Sequence, residues 1–431
     1  MMHTFRTKVF RSIFLSTALQ AIYACPASAQ VTQQISPENV STYVHNYKTT
    51  SASDEDFSDL TAFGDAIGDA RIVALAEQSH GASQEFDIKV RLLKYLHQKK
   101  GFDVLVIESG LFDMAELAKH MQAGEKLDDE APGNVFYMYA KSAEGRKLLQ
   151  YVDQTQKQAR PLQFAGMDSQ HTGKISQDTL VEKFTEYLRL NAPDALSSEE
   201  VQFYQQQTKA ILKRFDQPYN IPDEAAQTRY FQIADKLSHT LCSKPETTNT
   251  GDQTGFWCRI NQSMAAVAKG IWSNDSQRDQ AMADNVIWLA EDVYAGKKII
   301  IWGHAVHTFY DFAFDATHKN AGTVLRDHFK QQYYVVNTTA YAGSIRDFDS
   351  LKKVNIPAAP ENSLEAILHH TGKTHSYVAL EKNRNRTMSF TNVPARLFDF
   401  EYMPNISVNG LGQKYDAIFY YQDVEPVEMQ R

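Results

Sequence analysis

Two short apolar runs that each stop on ionisable residues constrain the fold of this chain more than any other feature. The first run, Ile72–Ala76, ends on Glu77, and His80 follows three residues later; the second, Val104–Ile107, ends on Glu108. The segment between the runs carries apolar residues at helical spacing, so the stretch predicts strand, loop, helix, strand and loop. If the two strands are parallel neighbours, their ionisable residues leave the sheet at one edge, where open α/β sheets bind their ligands.

The same alternation of strand and helix continues beyond this stretch. Between about residues 175 and 296 helical spacing persists with almost no strand signal, which predicts a helical insertion or cap. The whole pattern predicts an α/β fold with a largely parallel central sheet flanked by helices. The further predicted strands are Leu162–Ala165, Lys298–Trp302, Tyr333–Thr339, Tyr377–Leu380 and Ala417–Tyr421.

The first 29 residues have the features of an export signal. Basic residues precede an apolar segment, Ile13–Ala24, and Ala27-Ser28-Ala29 is typical of a cleavage site. A membrane anchor would need about 20 apolar residues, and this segment is shorter. Lipid attachment at Cys25 is the alternative, but its neighbouring residues fit that modification poorly. We therefore expect an exported protein, periplasmic or secreted, whose residues 30–431 form the α/β domain.

The charge of the chain limits the classes of binding partner that we expect, and its cysteines indicate a disulfide. The formal net charge is −8, and residues 1–29 carry three basic and no acidic residues, so their removal lowers the charge by three, to −11. An acidic protein is a poor candidate for binding nucleic acid or an anionic membrane surface, and no integral membrane segment is expected after removal of the signal. The two remaining cysteines, Cys242 and Cys258, are expected to form a disulfide outside the cytoplasm, with two buried thiols as the alternative.

Motifs of several common enzyme classes are absent from the sequence. There is no Gly-x-Ser-x-Gly elbow, which argues against the serine mechanism of ordinary α/β-hydrolases. There is no His-Glu-x-x-His pattern of zinc peptidases and no dinucleotide fingerprint after the first strand.

What remains is a set of ionisable residues at the ends of four predicted strands. A carboxylate that ends an apolar strand is costly without a role, whereas a lone histidine in a loop, such as His171 or His307, is often solvated or caps a helix. A histidine that titrates near neutrality can take a proton from water if a carboxylate fixes its tautomer. The strand-end residues are Glu77, His80, Glu108, Asp168, His171, His304 and His307.

Several motifs, in order along the chain, resemble those of the erythromycin esterase family. The likeness spans nearly the whole chain after the signal, and the motif that contains Glu77 and His80 is its most specific part. The matching segments are LAEQSHG at Leu75–Gly81, RLLKYLH at Arg91–His97, ESG at Glu108–Gly110, GMDSQ at Gly166–Gln170, Arg278-Asp279, WGHAVH at Trp302–His307 and FYY at Phe419–Tyr421.

The resemblance implies a hydrolase that opens macrolide lactones, with a small-molecule ester or lactone as substrate and no required metal or other cofactor. It places the catalytic histidine, a general base on water, at His80. Its acidic partners fall on Glu77 and Glu108, and its second histidine on His304. The expected substrate-binding residues are Lys89, Asp168, His307 and Arg91.

This chain departs from the family pattern at two positions. The arginine usually found in the helix after the catalytic loop is Lys89 here, unless Arg91 serves, and the usual asparagine between the two late histidines is Ala305. Lysine keeps the charge but lacks the planar, bidentate fork of arginine. These departures weaken the expectation of macrolide specificity more than that of hydrolysis.

The residues alone leave the division of labour and two rival functions open. Either Glu77 or Glu108 can support His80, while the other, with His304 or Lys89, can stabilise an oxyanion or steer the leaving alkoxide. The first rival is a metal-dependent hydrolase in which the same glutamates and histidines bind a divalent cation. The second is a secreted binding protein for a bulky apolar ligand, since aromatic residues make up 11% of the chain.

Overall fold

The computed structural model describes residues 44–242, 254–380, 394–401 and 414–430, together with the backbone of residues 33–34 and 388–389. The predicted export signal at residues 1–29 and the lipidation alternative at Cys25 lie outside the described residues. Within the described part of the chain, no helix is long and apolar enough to cross a membrane.

Strands and helices alternate through most of the described chain. The strands are β1 Gln33–Gln34, β2 Val44–Asn46, β3 Ile72–Glu77, β4 Phe102–Gly110, β5 Gln163–Asp168, β6 Lys298–His304, β7 Tyr333–Arg346, β8 Lys353–Ile356, β9 His375–Ala379, β10 Met388–Ser389 and β11 Ala417–Val424. The α-helices are α1 Thr61–Ala66, α2 Ser83–Lys100, α3 Leu111–Gln122, α4 Leu127–Glu130, α5 Tyr137–Lys141, α6 Ala143–Thr155, α7 Val181–Asn191, α8 Ser198–Leu212, α9 Glu224–Leu241, α10 Thr254–Ser273, α11 Arg278–Trp288, α12 Ala305–Thr308, α13 Ala321–Phe329 and α14 Leu364–His370.

Nine strands form the main sheet, in the order β2-β9-β11-β7-β3-β6-β4-β5, with β8 paired to β7. The six strands from β11 to β5 are all parallel, whereas β9 runs antiparallel to both β2 and β11. The predicted α/β fold with a largely parallel central sheet flanked by helices is confirmed.

Both faces of the central strands are buried, which explains their almost continuous apolar sequences. In β3, Ile72 and Ala74 pack into a core shared with helices α7–α11. Val73 and Leu75, which point the other way, pack into a second core with α2 and α6.

Strands β3 and β4 are parallel but are not neighbours, so that part of the prediction is wrong. Strand β6 lies between them, with Ile300 paired to Val73 on one side and to Leu105 on the other. Strand order depends on where each crossover helix packs, and the local pattern does not encode this. The inserted strand places His304 directly beside Glu77.

The interval between β5 and β6 contains helices α7–α11 and no strand among its described residues. Cys242, which caps the end of α9, forms a disulfide with Cys258 in α10, with their Cα atoms 5.2 Å apart. The predicted disulfide is confirmed.

Strand β7 is longer than predicted. It continues seven residues past Thr339, to Arg346, and then pairs with β8 in an antiparallel hairpin. The small and polar residues of this extension do not alternate with apolar ones, so they carried no strand signal. The hairpin brings its turn close to the carboxyl end of β3, as described below.

Candidate active site

The carboxyl ends of three parallel strands bring the predicted catalytic residues to one edge of the sheet. Glu77 ends β3, His304 ends β6 and Glu108 lies near the end of β4. His80 lies in the loop after β3, and its ring centroid is 4.9 Å from that of His304. These four side chains therefore form one cluster.

Glu77 is fully buried at the centre of this cluster. Its Oε1 accepts a hydrogen bond from Tyr139 Oη at 2.7 Å and lies 2.7 Å from His80 Nδ1, while its Oε2 pairs with Lys89 Nζ. Burial acts to raise the pKa of Glu77, but the Lys89 cation and the hydrogen bond with His80 outweigh it and lower the pKa overall. Glu77 is therefore held as a carboxylate.

The contact with Glu77 fixes the tautomer of His80. Because a carboxylate only accepts hydrogen bonds, Nδ1 carries the hydrogen and Nε2 carries the lone pair. Among the residues that the structure describes, no other hydrogen bond reaches this ring, and His80 keeps 9% of its surface exposed. Nε2 is thus the atom available to accept a proton from water.

Glu108 is the second buried carboxylate of the cluster. Its Oε2 accepts a hydrogen bond from the backbone N–H of His304 at 2.7 Å, and its Oε1 accepts one from Arg278 at 3.1 Å. Gly303 leaves room for it, since a Cβ there would lie 3.1 Å from Glu108 Oε2. Burial opposes the charged form, yet His307 and Arg278 lower the pKa of Glu108 far below its usual range.

His304 presents a donor on the same side of the cluster. Its Nδ1 accepts a hydrogen bond from the N–H of Val306 at 3.3 Å, so Nε2 carries the hydrogen. That Nε2 lies 3.0 Å from the carbonyl oxygen of Gln78 and 3.2 Å from Asp399 Oδ1. His80 Nε2 is therefore an acceptor without a partner among the described residues, whereas the N–H of His304 is already directed at Gln78 and Asp399.

A second charged cluster adjoins Glu108. Arg278 binds both carboxylate oxygens of Asp168, at 3.1 and 2.7 Å, and His307 Nδ1 lies 2.8 Å from Asp279 Oδ1. Burial lowers the pKa of His307, but Asp279 and Glu108 raise it overall. A cavity of about 470 Å³ borders Arg278 and His307. The predicted substrate-binding residues Asp168 and His307 thus lie beside the His80 cluster, 3.5 Å separating His307 Nε2 from Glu108 Oε1.

Three residues of the site have no predicted role from the sequence. In the sequence, Arg278 stands out only as part of a family motif, Tyr139 only as one of several aromatic residues more typical of a core than of a pocket, and Glu85 not at all. Glu85, in the first turn of α2, accepts hydrogen bonds from the N–H groups of Gln78 and Ser79 at 3.0 and 2.9 Å, and so holds the loop that carries His80. An acidic residue in the first turn of a helix was the one signal available for it.

Lys89 and Arg91, both predicted to bind substrate, are buried, and each pairs with a carboxylate. Lys89 exposes 1% of its surface, pairs with Glu77 and has its Nζ 4.0 Å from the centre of the Trp302 ring. Arg91 is fully buried on the far side of α2 and pairs with Asp59 at 2.7 Å. Lys89 therefore acts on the site through Glu77, and Arg91 fastens the segment before α1.

His171 is also separate from the His80 cluster. It is fully buried, its Nε2 makes no hydrogen bond in the described part of the chain, and burial lowers its pKa to about 4. A neutral, buried histidine of this kind fits a structural role better than a catalytic one.

The donor set of the His80 cluster does not fit a divalent metal. No three histidine, cysteine, aspartate or glutamate side chains are placed to share a metal ion among the described residues. The carboxylate oxygens that a cation would need are already paired with Lys89 on Glu77 and with Arg278 on Glu108.

Several known proteins resemble this chain in sequence or in fold. A curated relative from Bacillus subtilis (strain 168), the putative hydrolase YbfO, is 24% identical over 410 residues, covering 87% of this chain and 88% of that protein. An erythromycin esterase type II from Escherichia coli is 21% identical over 403 residues, covering 86% and 91%. A solved structure of a mutant erythromycin esterase in its open conformation shares the fold, with a TM-score of 0.64 and 16% identity over 89% of this chain and 98% of that one.

The model of one protein family, described as erythromycin esterase, matches residues 97–424. The matched range contains Glu108, Asp168 and His304, while Glu77 and His80 precede it. Because the match covers well over half of the 431 residues, this chain belongs to the erythromycin esterase family.

Proposed function

We propose that this chain is a hydrolase that cleaves an ester or lactone bond by attack of a water molecule, with His80 as the general base. The observation that carries the proposal is the 2.7 Å contact between His80 Nδ1 and buried, ionised Glu77, which leaves Nε2 as a base, with the ring of His304 4.9 Å away. The names of the relatives, a putative hydrolase and an erythromycin esterase, support the same reaction class. A macrolide lactone is one candidate substrate.

The reaction uses the two histidines in turn. Water held at His80 Nε2 attacks the carbonyl carbon and passes its proton to that nitrogen, while Glu77 stabilises the imidazolium that results. The negative charge that develops on the carbonyl oxygen is stabilised by the N–H of His304, which exchanges its contact with the carbonyl oxygen of Gln78 for the substrate oxygen. When the tetrahedral intermediate collapses, the imidazolium returns the proton to the departing alkoxide oxygen.

Glu108 and Lys89 support this chemistry without touching the reacting atoms. Glu108 holds the backbone of His304 through its 2.7 Å hydrogen bond, so it positions the second histidine. Lys89 balances the charge of Glu77, and both side chains are buried. We therefore assign Lys89 to charge balance rather than to substrate binding.

A hydrolysis screen tests the proposal. Purified wild type is incubated with a panel of lactones, including macrolides, and simple esters, and products are identified by mass spectrometry. We expect turnover of at least one substrate and a loss of about hundredfold or more in His80→Ala, which lacks the base. His120→Ala is the control, since His120 is partly exposed near the end of α3 and away from the cluster. Near-normal turnover by His80→Ala would overturn the assignment.

The same screen distinguishes the proposed function from the two alternatives, a metal-dependent hydrolase and a binding protein. A metal-dependent hydrolase would lose activity in a strong chelator, whereas we expect turnover to be unchanged, because Lys89 and Arg278 neutralise the two glutamates in place of a metal. A binding protein would bind a panel member without converting it.

A further inference from the structure

We propose that Phe348 and Phe136 form an aromatic entrance to the His80 site that selects substrates with an apolar chain next to the reacting bond. This inference rests on the proposed function and names the substrate class for it. The ring of Phe136 lies 4.7 Å from that of His80, and the ring of Phe348 lies 5.5 Å from it, both edge-on. Phe348 nevertheless exposes 38% of its surface, which is unusual for a large aromatic side chain beside a buried cluster.

The turn that carries Phe348 is fixed against the loop of His80. The N–H of Arg346, the last residue of β7, donates to the carbonyl oxygen of Gly81 at 3.0 Å. A Cβ on Gly81 would lie 1.7 Å from the carbonyl oxygen of Arg346, so the two backbones are in direct contact. Asp347 closes the turn. Its N–H donates to the carbonyl oxygen of Lys352, and its carbonyl oxygen accepts from the N–H of Leu351, both at 2.9 Å. The backbone therefore holds Phe348 next to His80.

Phe136 is fixed from the other side of the cluster. Its N–H donates to Ser109 Oγ at 3.1 Å, and Ser109 directly follows Glu108 in β4. Its ring packs edge-on to Tyr139, the partner of Glu77, with centroids 5.2 Å apart. Phe136 is thus tied to the two elements that position both carboxylates.

The hairpin turn and the start of α5 both contact His80, the turn through Phe348 and the helix start through Phe136. Burial raises the pKa of Tyr137, which follows Phe136, and Asp349 and Asp347 of the turn raise it further. No ring contact joins Phe136 to Phe348 in the part of the chain that the structure describes. Each ring contacts His80 on its own, so both rings present aromatic surface to the imidazole.

Aromatic side chains in this position strengthen the binding of a substrate that carries an apolar chain. Each methylene moved from water to an aromatic surface strengthens binding by about fourfold when fully buried. Lys89 is buried under the cluster, so it does not reach a substituent held between the two rings. We therefore expect discrimination by chain length.

Two lactones that share one ring test this directly: δ-valerolactone, and δ-dodecalactone, which adds a heptyl chain. We expect wild type to prefer the longer lactone by about tenfold or more in kcat/KM, mainly through KM. Phe348→Ala should lose about tenfold on the longer lactone and less than about threefold on the shorter one. Leu351→Ala is the matched control, because Leu351 is also an exposed apolar residue of this turn, at 43%, and lies three positions beyond Phe348. An equal effect of Phe348→Ala on both lactones, or no wild-type preference for the longer one, would overturn the inference.

A binding measurement separates this inference from the proposed function. If wild type hydrolyses neither lactone, the proposed reaction fails for this bond, and calorimetry with δ-dodecalactone then decides the entrance by itself. Binding that weakens about tenfold in Phe348→Ala and not in Leu351→Ala supports the entrance. Equal binding by both variants, or none by wild type, contradicts it.

Discussion

The pairing of Lys89 with Glu77 sets the electrostatics of the site at the level of single residues. Both side chains are buried, so each depends on the other for its charge. The cation keeps the pKa of Glu77 below its usual value despite burial. His80 in turn needs ionised Glu77, because only the carboxylate holds the hydrogen on Nδ1 and leaves Nε2 free to act as the base.

We predict that Lys89→Met shifts the acid limb of the kcat/KM profile to higher pH. Without the cation, the pKa of Glu77 rises, so the carboxylate is protonated at a higher pH and His80 loses its partner there. The shift should be about one pH unit or more. Lys89→Arg, which keeps the charge, is the control. A profile of Lys89→Met that overlays that of wild type would show that Lys89 does not act through Glu77.

The sequence predicted the residues that end strands and missed those that reach the site from elsewhere. Glu77, Glu108 and His304 were identifiable because a polar residue interrupts an apolar run. Tyr139 and Arg278 come from helices whose placement over the sheet depends on tertiary packing, and no local pattern reveals it. The motif that contains Arg91 likewise does not reveal that its side chain is buried and pairs with Asp59.

At the level of elements, the loop between β3 and α2 is held by the first turn of the helix that follows it. The carboxylate of Glu85 accepts hydrogen bonds from two consecutive N–H groups, at Gln78 and Ser79, and from Thr338 of β7. The loop thus joins three elements through one side chain. The position of His80, the next residue of this loop, depends on these hydrogen bonds.

We predict that Glu85→Ala lowers both stability and kcat, although Glu85 does not touch the reacting atoms. Two buried N–H groups lose their acceptor, which should lower the free energy of unfolding by about 1–3 kcal/mol for each group left unsatisfied. Displacement of His80 should reduce kcat more than it changes KM. Denaturant unfolding and steady-state kinetics measure the two effects, with Gln84→Ala, one position earlier and partly exposed, as the control. An unchanged kcat would show that the loop keeps its shape without Glu85.

The element pattern was predictable to the extent that local periodicity carries it. The strands of the parallel sheet and the helices between β5 and β6 have strong signals, since each buries an apolar face. No local sequence signal indicates the order of β3, β6 and β4 or the extension of β7, because the strands that pair are far apart along the chain. The extension of β7 places Phe348 beside His80.

At the level of the whole molecule, the disulfide and the predicted export signal point to the same compartment. A disulfide between Cys242 and Cys258 persists in an oxidising environment. We predict that the full chain, expressed in a Gram-negative host, is exported and cleaved after Ala29 with this bond formed. Intact-mass analysis of the mature protein, with and without reduction, checks both points. A mature chain that retains residues 1–29, or a lipid-modified Cys25, would contradict the prediction.

The account rests on His80 as the base that activates water, and chemical rescue measures this role most directly. The His80→Ala variant is assayed on a substrate that wild type hydrolyses, with imidazole added over a range of concentration and pH. We predict that imidazole restores turnover by about tenfold or more and that the rescue grows with the neutral fraction of imidazole, because only the neutral form accepts a proton. Turnover near the wild-type level without imidazole, or an inactive variant that imidazole does not restore at any pH, would contradict the account.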